Sequence, residues 1–67
     1  MGDDVMKGQW HKIRGYAKQQ WGKLTDDDLA AVDGRKDMLI GKVMQRYGLS
    51  KSAAMEEVEA WQKSLSI

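Results

Sequence analysis

A chain of 67 residues with 11 Lys and Arg against 10 Asp and Glu, a net charge of +1, holds one small domain and no more. It contains neither Cys nor Pro, which excludes a disulfide framework and any thiolate zinc or iron–sulfur site. No apolar run nears the roughly 20 residues of a membrane span. The opening MGDDVMKGQW lacks the apolar stretch of a signal peptide, and the balance suits a soluble cytoplasmic protein without integral membrane association.

The elements read as helices from end to end. Asp3 and Asp4 can cap a first helix, whose apolar residues Met6, Trp10, Ile13, Ala17 and Trp21 recur at steps of four, three, four and four. At about 100° per residue they form one narrow stripe, and Gly22 is placed to end the helix in a left-handed cap. Thr25 precedes Asp26, Asp27 and Asp28, an N-cap followed by acids where the helix dipole favours them. The short helix that follows carries Leu29 and Val32 and is broken or bent at Asp33-Gly34. A third runs from about Arg35 to Tyr47 with Leu39, Ile40, Val43 and Tyr47 on its face, and Gly48 ends it. Ser50 caps a last helix with the face Ala54, Val58, Trp61 and Leu65. Fraying is expected over Ser64 to Ile67. No sustained period-two alternation marks a strand. The three tryptophans, Trp10, Trp21 and Trp61, are core residues first, because so small a domain has few other large side chains.

The glycines are ordered. Apart from Gly2 they stand at 8, 15 and 22 and again at 34, 41 and 48, each triplet spaced by seven and the second shifted by 26. Gly15-Tyr-Ala-Lys-Gln-Gln-Trp21-Gly22 aligns with Gly41-Lys-Val-Met-Gln-Arg-Tyr47-Gly48, and a leucine and a hydroxyl cap follow each, Leu24-Thr25 and Leu49-Ser50. The chain 1–67 therefore reads as a single domain with an approximate internal repeat, 8–33 and 34–60. Each unit is a helical hairpin that cannot cover its own apolar stripe, so the two pack together into a small all-α four-helix bundle. Gly8, Gly15 and Gly41 fall inside helices, where glycine costs roughly 0.5–1 kcal/mol relative to Ala. They mark either a tolerant surface or a place where another backbone approaches closely.

Charge is segregated. From Val5 to Leu24 stand Lys7, Lys12, Arg14, Lys18 and Lys23 with His11 and no acid; then come three aspartates, a basic stretch Lys42, Arg46 and Lys51, and the acids Glu56, Glu57 and Glu59. The lysines suit the solvated faces of amphipathic helices and the acids suit helix N-termini. The alternative is a phosphate-binding patch of Lys7, Lys12, Arg14, Lys18, Gly48 and Lys51, against which a net charge near zero weighs.

No catalytic, cofactor or metal site is legible. His11 has neither an orienting partner nor a nucleophile near it in sequence. Asp26-Asp27-Asp28 lacks calcium-loop spacing, since the next alternate position is Ala30. Glycines at a period of seven match neither the phosphate-loop nor the dinucleotide fingerprint. The segment Gly48-Leu49-Ser50-Lys51-Ser52-Ala53-Ala54 resembles a helix-hairpin-helix element, whose glycine turn offers backbone amides to a nucleic-acid phosphate. Ser50 stands here in place of the second glycine.

Gln20-Trp21-Gly22-Lys23-Leu24-Thr25-Asp26-Asp27-Asp28-Leu29, with Gly34-Arg35-Lys36-Asp37, Leu39, Gly41-Lys42 and Gln45-Arg46-Tyr47-Gly48, resembles the CsbD-like bacterial stress-response proteins. So does the opening Lys7-Gly8-Gln9-Trp10 with Ile13 and Gly15. The resemblance covers nearly the whole chain and is weakest over Gln62 to Ile67. It implies two helical hairpins packed crosswise and a cytoplasmic protein that accumulates under general or osmotic stress, with no enzyme activity and no cofactor. No functional residue carries over, because the family's molecular activity is not established. The expectation is thus a monomeric, non-enzymatic stress-response protein with no assigned partner. Its alternatives are a weak binder of nucleic-acid backbones through the basic patch, and a protectant whose apolar stripes coat client proteins or membrane surfaces.

Overall fold

The computed structural model describes residues 3–65, with side chains from Met6 onward. Within that span the chain is helical throughout, with no strand: α1 (Asp3–Gly8), α2 (Trp10–Gln20), α3 (Asp26–Val32), α4 (Lys36–Tyr47) and α5 (Lys51–Leu65). α4 is the central element, with α3 on one side and α5 on the other, while α1 packs on α2. The described residues measure 28 × 22 × 18 Å.

Where the periodicity predicts one helix from Asp3 to Gly22, the structure has two. The break falls at Gln9, with φ −114° and ψ 18°, and the amides of Lys12 and Ile13 both bond its carbonyl at 3.0 and 2.9 Å. Gly8, next to it, is a poor helix former. The stripe survives the break: Met6, Trp10, Ile13, Ala17 and Trp21 are all buried. The capping role expected of Asp3 and Asp4 lies outside the described side chains, as does any fraying of residues 66 and 67. Ser64 and Leu65, expected to fray, are helical, and the Ser64 hydroxyl donates to the Trp61 carbonyl at 2.7 Å.

The helix ends divide by chemistry. Thr25 makes a full capping box: its hydroxyl accepts from the Asp28 amide at 3.1 Å and its own amide donates to the Asp28 carboxylate at 3.0 Å. Ser50 Oγ likewise accepts from the Ala53 amide at 3.2 Å. Gly48 closes α4 in the left-handed region, φ 63°, and the Leu49 amide reaches back to the Met44 carbonyl at 3.2 Å. Gly22, by contrast, does not adopt a left-handed cap. α2 ends at Trp21, φ −124° and ψ 83°, whose backbone leaves the helix as its indole packs edge-on against Trp61 at 5.0 Å between ring centroids. Trp21 Nε1 also donates to Glu57 at 3.1 Å.

The remaining faces fall where the spacing places them. Leu24, Leu29, Val32, Leu39, Ile40, Val43, Ala54, Val58 and Trp61 complete the core, with Tyr47 and Leu65 partly buried against it. Gln62 is buried too, donating to the Met6 sulfur at 3.5 Å.

A backbone does approach a glycine, but at Gly34. Asp33 and Gly34 both take positive φ, 48° and 77°, and a Cβ added at Gly34 would lie 2.5 Å from Lys7 Cα. The α3–α4 corner is thereby pressed against α1. At Gly8, Gly15 and Gly41 an added Cβ meets nothing within 4 Å, so no backbone of this chain approaches any of the three. Gly15→Ala is expected to gain about 0.5–1 kcal/mol of helix propensity and to raise the Tm by several degrees. Gly34→Ala is expected to lower it, because neither the φ nor the Lys7 backbone accommodates a methyl group. Thermal melts of the two variants, followed by circular dichroism, check both signs.

Candidate functional site

The residue types that carry chemistry converge at one place, the α3–α4 junction. Asp28 is the one buried acid among the described residues, and its carboxylate is saturated. Oδ2 accepts from Arg46 Nε at 2.8 Å and from the Thr25 amide; Oδ1 accepts from Arg46 Nη2 at 3.0 Å and faces Lys42 Nζ at 3.6 Å. Lys42 and Arg46 lie one turn apart on α4, so both reach the same carboxylate from one helix face. The Arg46 fork, followed by the Thr25 amide, holds the Asp28 carboxyl far below the usual carboxylate range. Asp28 in turn raises the Arg46 guanidinium. A base so firmly ionised and so fully bonded cannot exchange a proton near neutrality. This cluster is a structural latch.

A second clasp lies beside it. The Lys23 amide donates to the Tyr47 hydroxyl at 3.1 Å, and the Lys23 ammonium sits 5.1 Å from the Tyr47 ring centroid. Residues 23–28 and 46–47 are therefore fastened to each other at three points. Sequence reading identified Asp26 to Asp28 as a capping run but missed the ion pair. The signal available was the pair Lys42 and Arg46 at helical spacing, opposite an acid run in a chain with little room to leave charges idle.

The six candidate phosphate-binding residues do not form one built site. Lys7, Lys12, Arg14 and Lys18 are exposed along α1 and α2, and α2 carries no acid. Lys18 is already paired, 2.7 Å from Asp26, which lowers the Asp26 carboxyl. Gly48 and Lys51 belong to the α4–α5 turn. There the Gly48 and Leu49 amides both point to the Met44 carbonyl, and the Ala53 amide is taken by Ser50. The turn thus uses for its own closure several of the donors that a helix-hairpin-helix element would offer a phosphate. His11 is exposed on α2. Among the described residues no three His, Asp or Glu side chains gather as a metal cage, and no helix is long and apolar enough to cross a membrane.

The CsbD-like family profile matches residues 4–56. A UPF0337 protein of Pectobacterium atrosepticum is 48% identical over 62 residues, covering 92% of this chain and 90% of the relative. The UPF0337 protein YjbJ of Escherichia coli (strain K12) is 45% identical over 62 residues, covering 92% and 90%. A UPF0337 protein of Pseudomonas aeruginosa is 52% identical over 58 residues, covering 87% and 89%.

The latch has a pH signature. Asp28 has a folded pKa below its unfolded value of about 3.9, so it contributes stability that is full above about pH 4. That contribution is lost as pH falls from there toward the folded value. Asp28→Ala removes half the capping box and strips Arg46 of its partner. It is expected to lower the Tm at neutral pH by roughly 10 °C and to flatten the decline in Tm below about pH 4. Melts of both proteins across an acid series measure the difference.

Proposed function

The chain belongs to the CsbD-like family, and from that membership we propose that it is a non-enzymatic stress-response protein that works in the cytoplasm by contact, through a surface. The observation that supports this reading is the use to which the family-like residues are put. Trp21, Leu24, Thr25, Asp28, Leu29, Arg46, Tyr47 and Gly48 are spent on core packing, capping and the α3–α4 latch. The most specific part of the sequence is thus accounted for by folding, and action falls to the exposed faces. In the native host the protein is expected to accumulate after osmotic upshift, and a deletion strain to recover more slowly. Unchanged protein levels together with unchanged recovery would overturn the reading.

A second reading, contact with a nucleic-acid backbone, draws on α1 and α2, where Lys7, Lys12 and Arg14 stand exposed. The α4–α5 turn adds little to it, since its amides serve the turn. The protectant alternative has less behind it, because the apolar stripes close on one another. Tyr16, 42% exposed, is the one large apolar side chain that stands out among the described residues. Fluorescence anisotropy with labelled duplex and single-stranded DNA tests the nucleic-acid reading. If three phosphates are neutralised, affinity should fall by about 40-fold between about 50 and about 200 mM salt. A Lys12→Glu/Arg14→Glu variant should lose binding while keeping its Tm. A flat titration at low salt would remove this reading and leave the contact surface elsewhere.

A further inference from the structure

Between the outer faces of α4 and α5 runs an open groove of about 580 Å³. Its apolar lining is Ile40, Gly41, Met44 and Met55. Gly41 gives it its depth: this position lies in the middle of α4, is exposed, and has nothing within 4 Å of where a Cβ would stand. Met44 and Met55 are only partly buried against the core, and methionine is the side chain best able to adapt to an incoming surface. The ends of the groove differ in charge. Lys51 lies at the turn end; Asp37 and Lys36 lie at the other. Lys36 is held by Glu59 at 3.1 Å, whereas neither Asp37 nor Lys51 has an ion-pair partner among the described residues.

From this pattern we propose that the groove joins a second copy of the chain in a weak two-fold dimer. In an isologous contact the same patch must complement itself, and this one does so in shape and in charge. Let two α4 helices cross antiparallel, with the two-fold axis between Gly41 and Met44. Each Met44 then enters the notch left by the partner's Gly41. The same register sets Asp37 opposite Gly48, in the turn that leads into Lys51, so that each end of the contact brings an unpaired acid toward an unpaired base. A rim ion pair adds little affinity, but it fixes orientation. Seven residues line the groove, against about 20–30 a side in a standard interface. The dimer should therefore dissociate on dilution, and a monomer, as the sequence alone suggests, is the dilute form.

The test is a concentration series from tens of micromolar to millimolar protein, read by sedimentation velocity and by amide chemical shifts. Shifts should move with concentration at Ile40, Gly41, Met44 and Met55, and the weight-average mass should rise. Gly41→Met fills the notch and should abolish self-association while keeping or raising the Tm, which separates loss of contact from loss of fold. Asp37→Lys alone and Lys51→Glu alone should each weaken self-association at least several-fold. An equimolar mixture of these two variants, in which every facing pair is again opposite in charge, should restore it. Resonances independent of concentration overturn the proposal. So does self-association unaffected by these substitutions, or movement of the groove resonances only when phosphatidylglycerol vesicles or an unrelated helical peptide are added.

Discussion

Asp28 joins two levels of the fold with one carboxylate. It completes the capping box that starts α3, and the same two oxygens take the Arg46 fork that ties α3 to α4. Burying a charge is costly unless it is paired and hydrogen-bonded; here the Thr25 amide and the Arg46 fork donate, and the Lys42 ammonium adds a second positive charge at 3.6 Å. The Thr25 cap alone is worth about 1 kcal/mol. A domain this small holds a few kcal/mol in all, so the start of α3 and its docking on α4 are parts of a single event. α4 then carries α5, and α5 carries Trp61, against which Trp21 ends α2. The chain of dependence runs from one acid to the whole bundle.

Patterns local in sequence were legible, and contacts distant in sequence were not. The stripes of α2, α4 and α5, the Thr25 and Ser50 caps and the Gly48 stop all follow from spacing and from what each residue type can bond. Asp28 to Arg46 spans 18 positions and Trp21 to Glu57 spans 36, and nothing in helical periodicity reports such pairs. The break at Gln9 escaped for a related reason: the apolar steps from Met6 to Trp21 run through it undisturbed, and the interruption shows only in backbone angles. Gly22 follows the last residue of an apolar stripe, as a glycine cap would, yet it takes no left-handed turn. The residue before it decides the outcome. Tyr47 stays helical and accepts a bond from Lys23, whereas Trp21 leaves the helix to reach Trp61.

Glycine shows the same division between what a residue permits and what uses it. Seven glycines in 67 residues suggest close approaches, yet among the described residues only Gly34 has a backbone pressed against it, that of Lys7. Sequence position excused Gly34 as a helix terminus, while the mid-helix glycines raised suspicion. The geometry reverses this, because it is the turn between α3 and α4, with two successive positive φ values, that brings the corner down onto α1.

For the candidate site the consequence is a separation of roles. Many of the residues that make the chain recognisable, among them Trp21, Leu24, Thr25, Asp28, Leu29, Arg46 and Gly48, are inward-facing, capping or bonded, so they serve folding first. The fold leaves exposed four basic side chains on α1 and α2, Lys7, Lys12, Arg14 and Lys18, and a groove with a glycine in its lining. Gly41 is informative here because its cost has no return inside the monomer. A mid-helix glycine that meets no neighbour weakens α4 and helps nothing in the described fold. Its one evident effect is to leave room on the outer face between Met44 and Ile40, and room on a surface has value only to something that enters it.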